Sequence, residues 1–262
     1  MDVADTQSSL TPGRLHVHDL DQCRNTQKGP VFIIASGAST RDFPLRQYAG
    51  IPMITMNGAI SKFIGTGVKP FFYVCTDQGF SELQPELFTQ AMLLSERVAL
   101  WEHHVWHTTV PPEGELYLLA RAPKLSWRDL LWPDKELVRN RKLGSGRNKT
   151  MGFSKNLKRG FFEARTVAYV ALQLAYHLGF TQVFLVGVDL DQSVSRFYEE
   201  QGSRVSPCVL DEHFNTRILP SFEILAKHVM NPDFQVYNLS AISKIPARLV
   251  PRVTLDELDR LI

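Results

Sequence analysis

The hydrophobic pattern of the chain breaks into short apolar runs that stop abruptly at small or polar residues. Val31-Phe32-Ile33-Ile34-Ala35 ends at Ser36-Gly37-Ala38-Ser39-Thr40, and Pro52-Met53-Ile54-Thr55-Met56 ends at Asn57-Gly58. Phe71-Phe72-Tyr73-Val74-Cys75 ends at Thr76-Asp77-Gln78-Gly79. A continuous apolar run of this length between turn residues predicts a strand buried on both faces, as in a parallel sheet. Ser81 to Ser95 carries Leu83, Leu87 and Met92 at helical spacing and predicts a helix. Leu116-Tyr117-Leu118-Leu119 predicts a further strand. From Phe161 onward, Ala164, Val167, Ala168, Ala171, Leu174, Ala175 and Leu178 recur at three- and four-residue steps, and Gly179 sits where a C′ glycine belongs. The run Gln182 to Val188 then reads as a strand ending in Gly187 and Asp189. A helix over 218–230, a strand over 234–238 and a helix over 255–262 complete the pattern.

The expected fold class is α/β, a three-layer Rossmann-like domain with a mostly parallel sheet. Residues 1–28 read as a flexible lead-in and 29–262 as a single domain. Within it, about 101–160 is irregular and rich in Trp, His, Pro and basic residues, and reads as a lid-like insertion.

Composition excludes more than it identifies. With 262 residues, 44% hydrophobic and 21% charged, the chain is an ordinary globular one, neither disordered nor disulfide-built. A formal charge of +2 gives no sign of a nucleic-acid binder. Cys23, Cys75 and Cys208 are widely spaced, which argues against a zinc knuckle and suits a reducing compartment. No stretch approaches the ~18 apolar residues of a membrane span. The N-terminus is polar and acidic, unlike a signal peptide, so the expected location is cytoplasmic.

The chemistry-bearing residues cluster at strand ends, where open α/β sheets bind ligands. Ser36, Gly37, Ala38 and Ser39 form a phosphate-loop candidate or a plain strand-to-helix turn. Asn57 offers an uncharged amide to a nucleotide, or closes an Asn-Gly turn. Asp77 and Asp189 could hold a ribose, loop amides or a metal, or cap the next element. Taken as one edge, these residues with Thr76, Thr166 and Gly187 make the expected nucleotide-binding set. Arg139, Arg141, Lys142, Arg147, Lys149, Lys155, Lys158 and Arg159 fall in a stretch without Asp or Glu, interleaved with Gly144, Gly146 and Gly152. That stretch is either a solvated loop or an arm that meets phosphates, an anionic sugar or an anionic membrane surface. His103, His104 and His107 have no second cluster to complete a metal shell and read as surface or core histidines; no metal site is expected. His213 comes after the late strand and a polar loop holding Arg196, Tyr198 and Arg204. It is the candidate general base, with Arg196 and Tyr198 stabilising a leaving phosphate.

The assembled pattern resembles bacterial sialyltransferases of glycosyltransferase family 42 and the related lipopolysaccharide core proteins. The likeness rests on Gly37-Ala38-Ser39 after an apolar strand, on Asn57, and above all on the helix–Leu-Gly-Phe–strand–Gly-x-Asp run from Thr166 to Asp189. The resemblance implies that the loop and the Asn hold the cytidine monophosphate of a CMP-sugar, that tyrosines assist the departing phosphate and that a histidine is the base. Ser36 stands where that family has Asn, Asp191 falls where its first tyrosine is expected, Tyr198 is near the second, and His213 lies closer to it than the family histidine would.

So read, the chain is a metal-independent glycosyltransferase moving Kdo or a sialic acid from a CMP-sugar donor, with no separate cofactor. Its partners would be a glycan or lipid-linked acceptor, such as a lipopolysaccharide core, and an anionic membrane surface, with no nucleic acid. It would sit as a peripheral protein at the inner membrane. A similar late helix–strand unit in archaeal pterin diphosphokinases leaves a Mg²⁺-dependent kinase open, with Asp77 and Asp189 as ligands. A non-catalytic sugar-nucleotide-binding assembly protein is the third reading.

Overall fold

Successive residues of the apolar runs go to opposite faces of one sheet. Val31, Ile33, Ile54, Phe72 and Val74 join one hydrophobic cluster, while Phe32, Ile34, Met53, Tyr73 and Cys75 join another. Both faces of these strands are therefore covered, which is why they show no polar alternation. The computed structural model describes residues 15–77, 79–108, 110–127, 131–132, 134–140, 150–191, 196–198 and 210–262.

Eight strands form the sheet: β1 (Val17–His18), β2 (Pro30–Ile34), β3 (Met53–Met56), β4 (Phe72–Cys75), β5 (Arg97–Trp101), β6 (Glu115–Leu119), β9 (Gln182–Val186) and β10 (Gln235–Asn238). Their order is β1-β6-β5-β4-β3-β2-β9-β10. Every pairing among them is parallel. Two further strands among the described residues, β7 (Leu137–Arg139) and β8 (Gly152–Ser154), make a separate antiparallel ribbon.

On one face lie α1 (Phe80–Leu83), α2 (Pro85–Leu94), α3 (Glu102–His107) and the terminal α7 (Leu255–Leu261), with Phe80, Phe88, Val105 and Leu258 in the cluster there. On the other lie α4 (Val167–Leu178) and, beyond a short α5 (Leu210–His213) and a π-helical turn (Phe214–Ile218), α6 (Leu219–His228). The three-layer α/β expectation holds.

Four details depart from the sequence pattern. The helix expected over Ser81–Ser95 is broken: Pro85 has no N–H to continue a helix, and Gln84 leaves helical geometry at φ −133° and ψ 55°. β5 is a fifth apolar strand that no glycine or proline announced. Residues 15–28 are not a loose lead-in, because β1 pairs with β6, and Leu20 and Cys23 are buried in the core. The insertion is also shorter than 101–160, because β5 ends at Trp101 and β6 belongs to the central sheet.

The described part of the insertion is fastened to the domain. Phe153 is fully buried and packs edge-on against Tyr169 and Tyr176 of α4. Buried Gln173 supplies the polar counterpart. Its Oε1 accepts the N–H groups of Ser154 (3.0 Å) and Phe162 (2.9 Å), and its Nε2 donates to the carbonyls of Phe162 (2.9 Å) and Tyr169 (3.0 Å). One amide thus satisfies two N–H groups and two carbonyls that no water reaches.

Of the basic stretch, Lys155 lies over the Tyr176 ring, Lys158 pairs with Asp19 and Asp21, and Arg159 pairs with Asp134. Arg139 lies over the Phe162 ring. These described residues pack against the body of the protein and do not form a lid. Arg141, Lys142, Gly144, Gly146, Arg147 and Lys149 lie outside the described residues. No helix among the described residues is long and apolar enough to cross a membrane.

His177, in the last turn of α4, is fully buried. Its Nδ1 accepts the Leu157 N–H (3.2 Å), so its Nε2 carries the hydrogen donated to the Leu20 carbonyl (2.8 Å). Burial holds this imidazole below its ordinary range. Unfolding restores a pKa of about 6.5, so just below that pH the unfolded chain binds the proton first. The stability from His177 is then complete above about pH 6.5 and is lost as the pH falls. Urea titrations from about pH 7.5 to 5 should show this fall, with a slope of at most ~1.4 kcal/mol per pH unit from this group. His177→Gln should be less stable at neutral pH and show a flatter acid limb; an unchanged slope would exclude His177 as the source.

Candidate functional site

The C-terminal ends of β4, β3, β2, β9 and β10 stand side by side in that order. Chain order reverses between β2 and β9, and such a switch point is where an open α/β sheet leaves a crevice. At strand spacing of ~4.8 Å the five tips span about 19 Å.

Asp189, almost fully buried, ties the middle of this edge together. Its Oδ2 accepts the Ser39 N–H (3.0 Å), and its Oδ1 accepts the hydroxyls of Ser39 and Ser240, both at 2.5 Å. The Gly37 N–H donates to the Gly187 carbonyl (2.9 Å). A Cβ at Gly37 would lie 2.4 Å from that carbonyl oxygen, and Gly187 turns at φ +70° with no room for a Cβ beside Thr40. Both glycines are therefore demanded by close backbone approach.

The phosphate-loop expectation changes accordingly. Gly37 leads into a single 3-10 turn, Ala38–Thr40, and not into a helix. The N–H groups of Gly37 and Ser39 are engaged within the protein, leaving the Ser36 hydroxyl and the Ala38 N–H as the loop's donors. Asp189 is likewise a holder of this loop and not a free ribose acceptor. Asp77 is exposed, and its Oδ1 accepts the Gly79 N–H (3.3 Å) in the turn before α1, whose N-cap is Gly79 itself; Thr76 beside it is half-buried. Asp77 and Asp189 stand on tips three strands apart, about 14 Å by strand spacing, too far to share one magnesium ion.

Asn57 opens the turn after β3 at φ +44°, and its Oδ1 is buried without a hydrogen-bond partner. Next to it, Gly58 lies under the ring of Tyr198: a Cβ there would fall 2.1 Å from Tyr198 Cζ. Arg196 Nη1 donates to Tyr198 Oη (3.0 Å), and the Phe197 N–H donates to the Ser36 carbonyl (3.2 Å). The structure thus brings Ser36, Asn57, Tyr198 and Arg196 to one place across β2 and β3.

Among the described residues, three of the four non-glycine residues with positive φ, Asn57, Arg165 and Leu190, follow β3, precede α4 and follow β9, all at this edge. Such strained positions gather at functional sites. Thr166 is the N-cap of α4, and its hydroxyl makes no capping bond. His213 ends α5 and is half-buried at the head of the π-helical turn, an element that recurs at functional sites. The β9–α6–β10 crossover puts this turn toward the C-terminal edge. Among the described residues no hydrogen bond or ion pair joins His213 to Tyr198 or Asn57. Of the other residues named from the sequence, His104 is a core histidine bonded to Ser81 Oγ (2.9 Å), and His103 lies near Glu82. The His107 side chain, Arg204 and Cys208 lie outside the described residues. Among those described, no group of three His, Cys, Asp or Glu could hold a metal ion.

Ser240 and Asn238 were missed, although Asn238-Leu239-Ser240 repeats the punctuation of the other strand ends. Asn238 is fully buried, its Oδ1 accepts the Ser240 N–H (3.0 Å), and its Nδ2 has no partner. Arg217 was also missed; it donates to the Glu163 carbonyl (3.1 Å) and to Thr150 Oγ1 (2.7 Å).

The family model of the 3-deoxy-D-manno-octulosonic acid transferase WaaZ matches residues 123–256, half of the chain. The chain belongs to this family. It is accordingly a lipopolysaccharide glycosyltransferase, as the resemblance implied. The "Probable 3-deoxy-manno-octulosonic acid transferase" of Escherichia coli (strain K12) is 27% identical over 87% of this chain and 83% of its own length. The protein of the same description from Salmonella typhimurium (strain LT2) is 28% identical over 87% of each chain.

Among solved structures, the MAf glycosyltransferase from Magnetospirillum magneticum AMB-1 overlaps 90% of this chain at 18% identity and a TM-score of 0.48. This chain spans about a third of that protein, 36% of its length. The sialyltransferase CstII from Campylobacter jejuni overlaps 82% of this chain and 81% of its own, at 13% identity and a TM-score of 0.36. The WaaZ match takes in Thr166, Gly187, Asp189, Arg196, Tyr198 and His213; Ser36 and Asn57 precede it.

Asp189→Ala should remove three charge-assisted hydrogen bonds and release the loop after β2. The expected loss is roughly 2–4 kcal/mol of stability by denaturant titration. A variant as stable as the parent would mean the carboxylate does not hold the loop.

Proposed function

We propose that this family member transfers Kdo from CMP-Kdo to a hydroxyl of a lipid-linked glycan, with Asn57 on the nucleotide and His213 as general base. The observation that carries the reading is the buried, unpartnered Oδ1 of Asn57 at the sheet edge, beside the Arg196–Tyr198 pair. A buried acceptor without a donor is costly, and a cytosine amino group or ribose hydroxyl would satisfy it. The tips of β4 to β10, about 19 Å across, accommodate an extended nucleotide sugar.

The acceptor oxygen bonds to the anomeric carbon as the carbon–phosphate oxygen bond breaks. The electron pair leaves with CMP, and the acceptor proton goes to His213. Imidazole is the side chain suited to take a proton near neutral pH. Arg196 donates to Tyr198 Oη, which leaves the phenol hydrogen to donate to the departing phosphate. A monophosphate leaving group carries less charge than a diphosphate, so this cation and hydroxyl serve without a metal or a separate cofactor. A lipid-linked acceptor would place the protein at the cytoplasmic face of the inner membrane.

Two variants test the assignment. Asn57→Ala should weaken CMP binding by roughly tenfold in calorimetry while the fold is kept; a folded variant of parental affinity removes Asn57 from the site. His213→Ala should slow single-turnover transfer by roughly 10²-fold or more at nearly unchanged CMP affinity. Retention of most of the turnover would rule out His213 as the base.

A further inference from the structure

The three most exposed large apolar side chains described lie within six residues of one another. Trp132 is 73% exposed, Trp127 67% and Leu131 62%, ahead of Ile242 at 55%. Single exposed apolar residues are common, but a cluster that includes two tryptophans is not. Trp101, by contrast, is half-buried and covered by the Arg121 guanidinium, 4.3 Å from its ring.

Exposed Lys124 and Lys135 flank the cluster, and among the described residues neither takes part in an ion pair. Of the carboxylates in the same segment, Asp134 is paired with Arg159 and Glu136 with Arg24, while Asp129 lies outside the described residues. The next segment of chain, Arg139 to Arg159, holds eight Lys or Arg and no Asp or Glu, of which Lys158 and Arg159 are already paired with Asp19, Asp21 and Asp134. An apolar cluster with an exposed lysine on either side, followed by a basic segment, is complementary to a surface with an apolar interior and anionic headgroups. Indole suits that boundary, with a large apolar body and one N–H that needs a polar partner.

Position agrees. Arg121 continues the C-terminal end of β6 through a parallel bridge to Phe161, at the edge that carries the candidate site. Trp127 is six residues further on, so it lies within about 20 Å of that edge.

We infer that Trp127, Leu131 and Trp132, with Lys124 and Lys135, form an interfacial anchor that docks this face on an anionic lipid bilayer. The inference rests on the proposed function only for the lipid-linked acceptor. It also shifts the membrane contact from the basic arm, where the sequence suggested it, to the tryptophan cluster ahead of it.

The test is co-sedimentation of the full chain, without donor or acceptor, with two kinds of vesicle. One is phosphatidylcholine alone, and the other contains about a third phosphatidylglycerol. The wild type should bind the anionic vesicles and lose most of that binding in high salt. Trp127→Ala/Trp132→Ala should reduce binding at least tenfold, with CMP affinity unchanged, and should shift the tryptophan emission seen on vesicle addition back toward that of the free protein.

Parental vesicle binding by the double variant would overturn the proposal, as would equal binding to both kinds of vesicle or none to either. So would a wild-type dimer in light scattering that the double variant abolishes, since a second copy would then cover the cluster. Because no substrate is present, a failure here is independent of whether CMP-Kdo is the donor.

Discussion

The carboxylate of Asp189 sets the geometry on which the rest of the edge depends. It receives three hydrogen bonds from two loops that lie far apart in the chain, those after β2 and β10. In a buried setting such a charge is tolerable only while all of its donors are in place, so the three loops fold as one unit or not at all. Gly37 and Gly187 give the backbones the room to come this close. The turn after β2 then offers the Ser36 carbonyl to Phe197, which helps deliver Arg196 and Tyr198 to the end of β3. A residue that reads as a ligand contact is thus a fastening for the loops around it.

Gln173 has the same logic on the opposite side of α4. The ribbon and the segment before α4 have polar backbone groups that must be buried against an apolar helix. A single amide with two acceptor and two donor positions satisfies three of them and, as a fourth group, the Tyr169 carbonyl of α4. The ribbon is therefore held by directional bonds as well as by Phe153.

Much of the fold was legible because β2, β3, β4 and β9 are buried on both faces and end in small polar residues. β1 was not, since two residues carry no periodicity, and β5 was not, since Ser95-Glu96 separates it from α2 without a glycine or proline. At the site, sequence read Ser36, Asn57, Asp77 and Asp189 as one strand-end edge, but it did not reveal that Tyr198, from the later polar loop, would lie against Gly58 there. It could not assign Asp189, because a strand-end carboxylate suits a sugar, a metal or a loop equally well. The deciding partner, Ser39, lies 150 residues away. His213 was legible as a residue of the last crossover, but its distance from the edge depends on loop geometry that no local pattern encodes.

The ring of Tyr198 resting on Gly58 has a consequence for how such a sequence can change over time. The Tyr198 phenol, proposed to assist the leaving group, and the backbone next to Asn57, proposed to meet the nucleotide, share one small space. A larger residue at position 58 would push the aromatic ring away from the phosphate position, whatever became of the donor pocket itself. A smaller residue at position 198 would free position 58 but forfeit the phenol. The two sites can drift only together, so an enzyme descended from this one that accepts a bulkier residue after Asn57 must find its leaving-group donor on another segment.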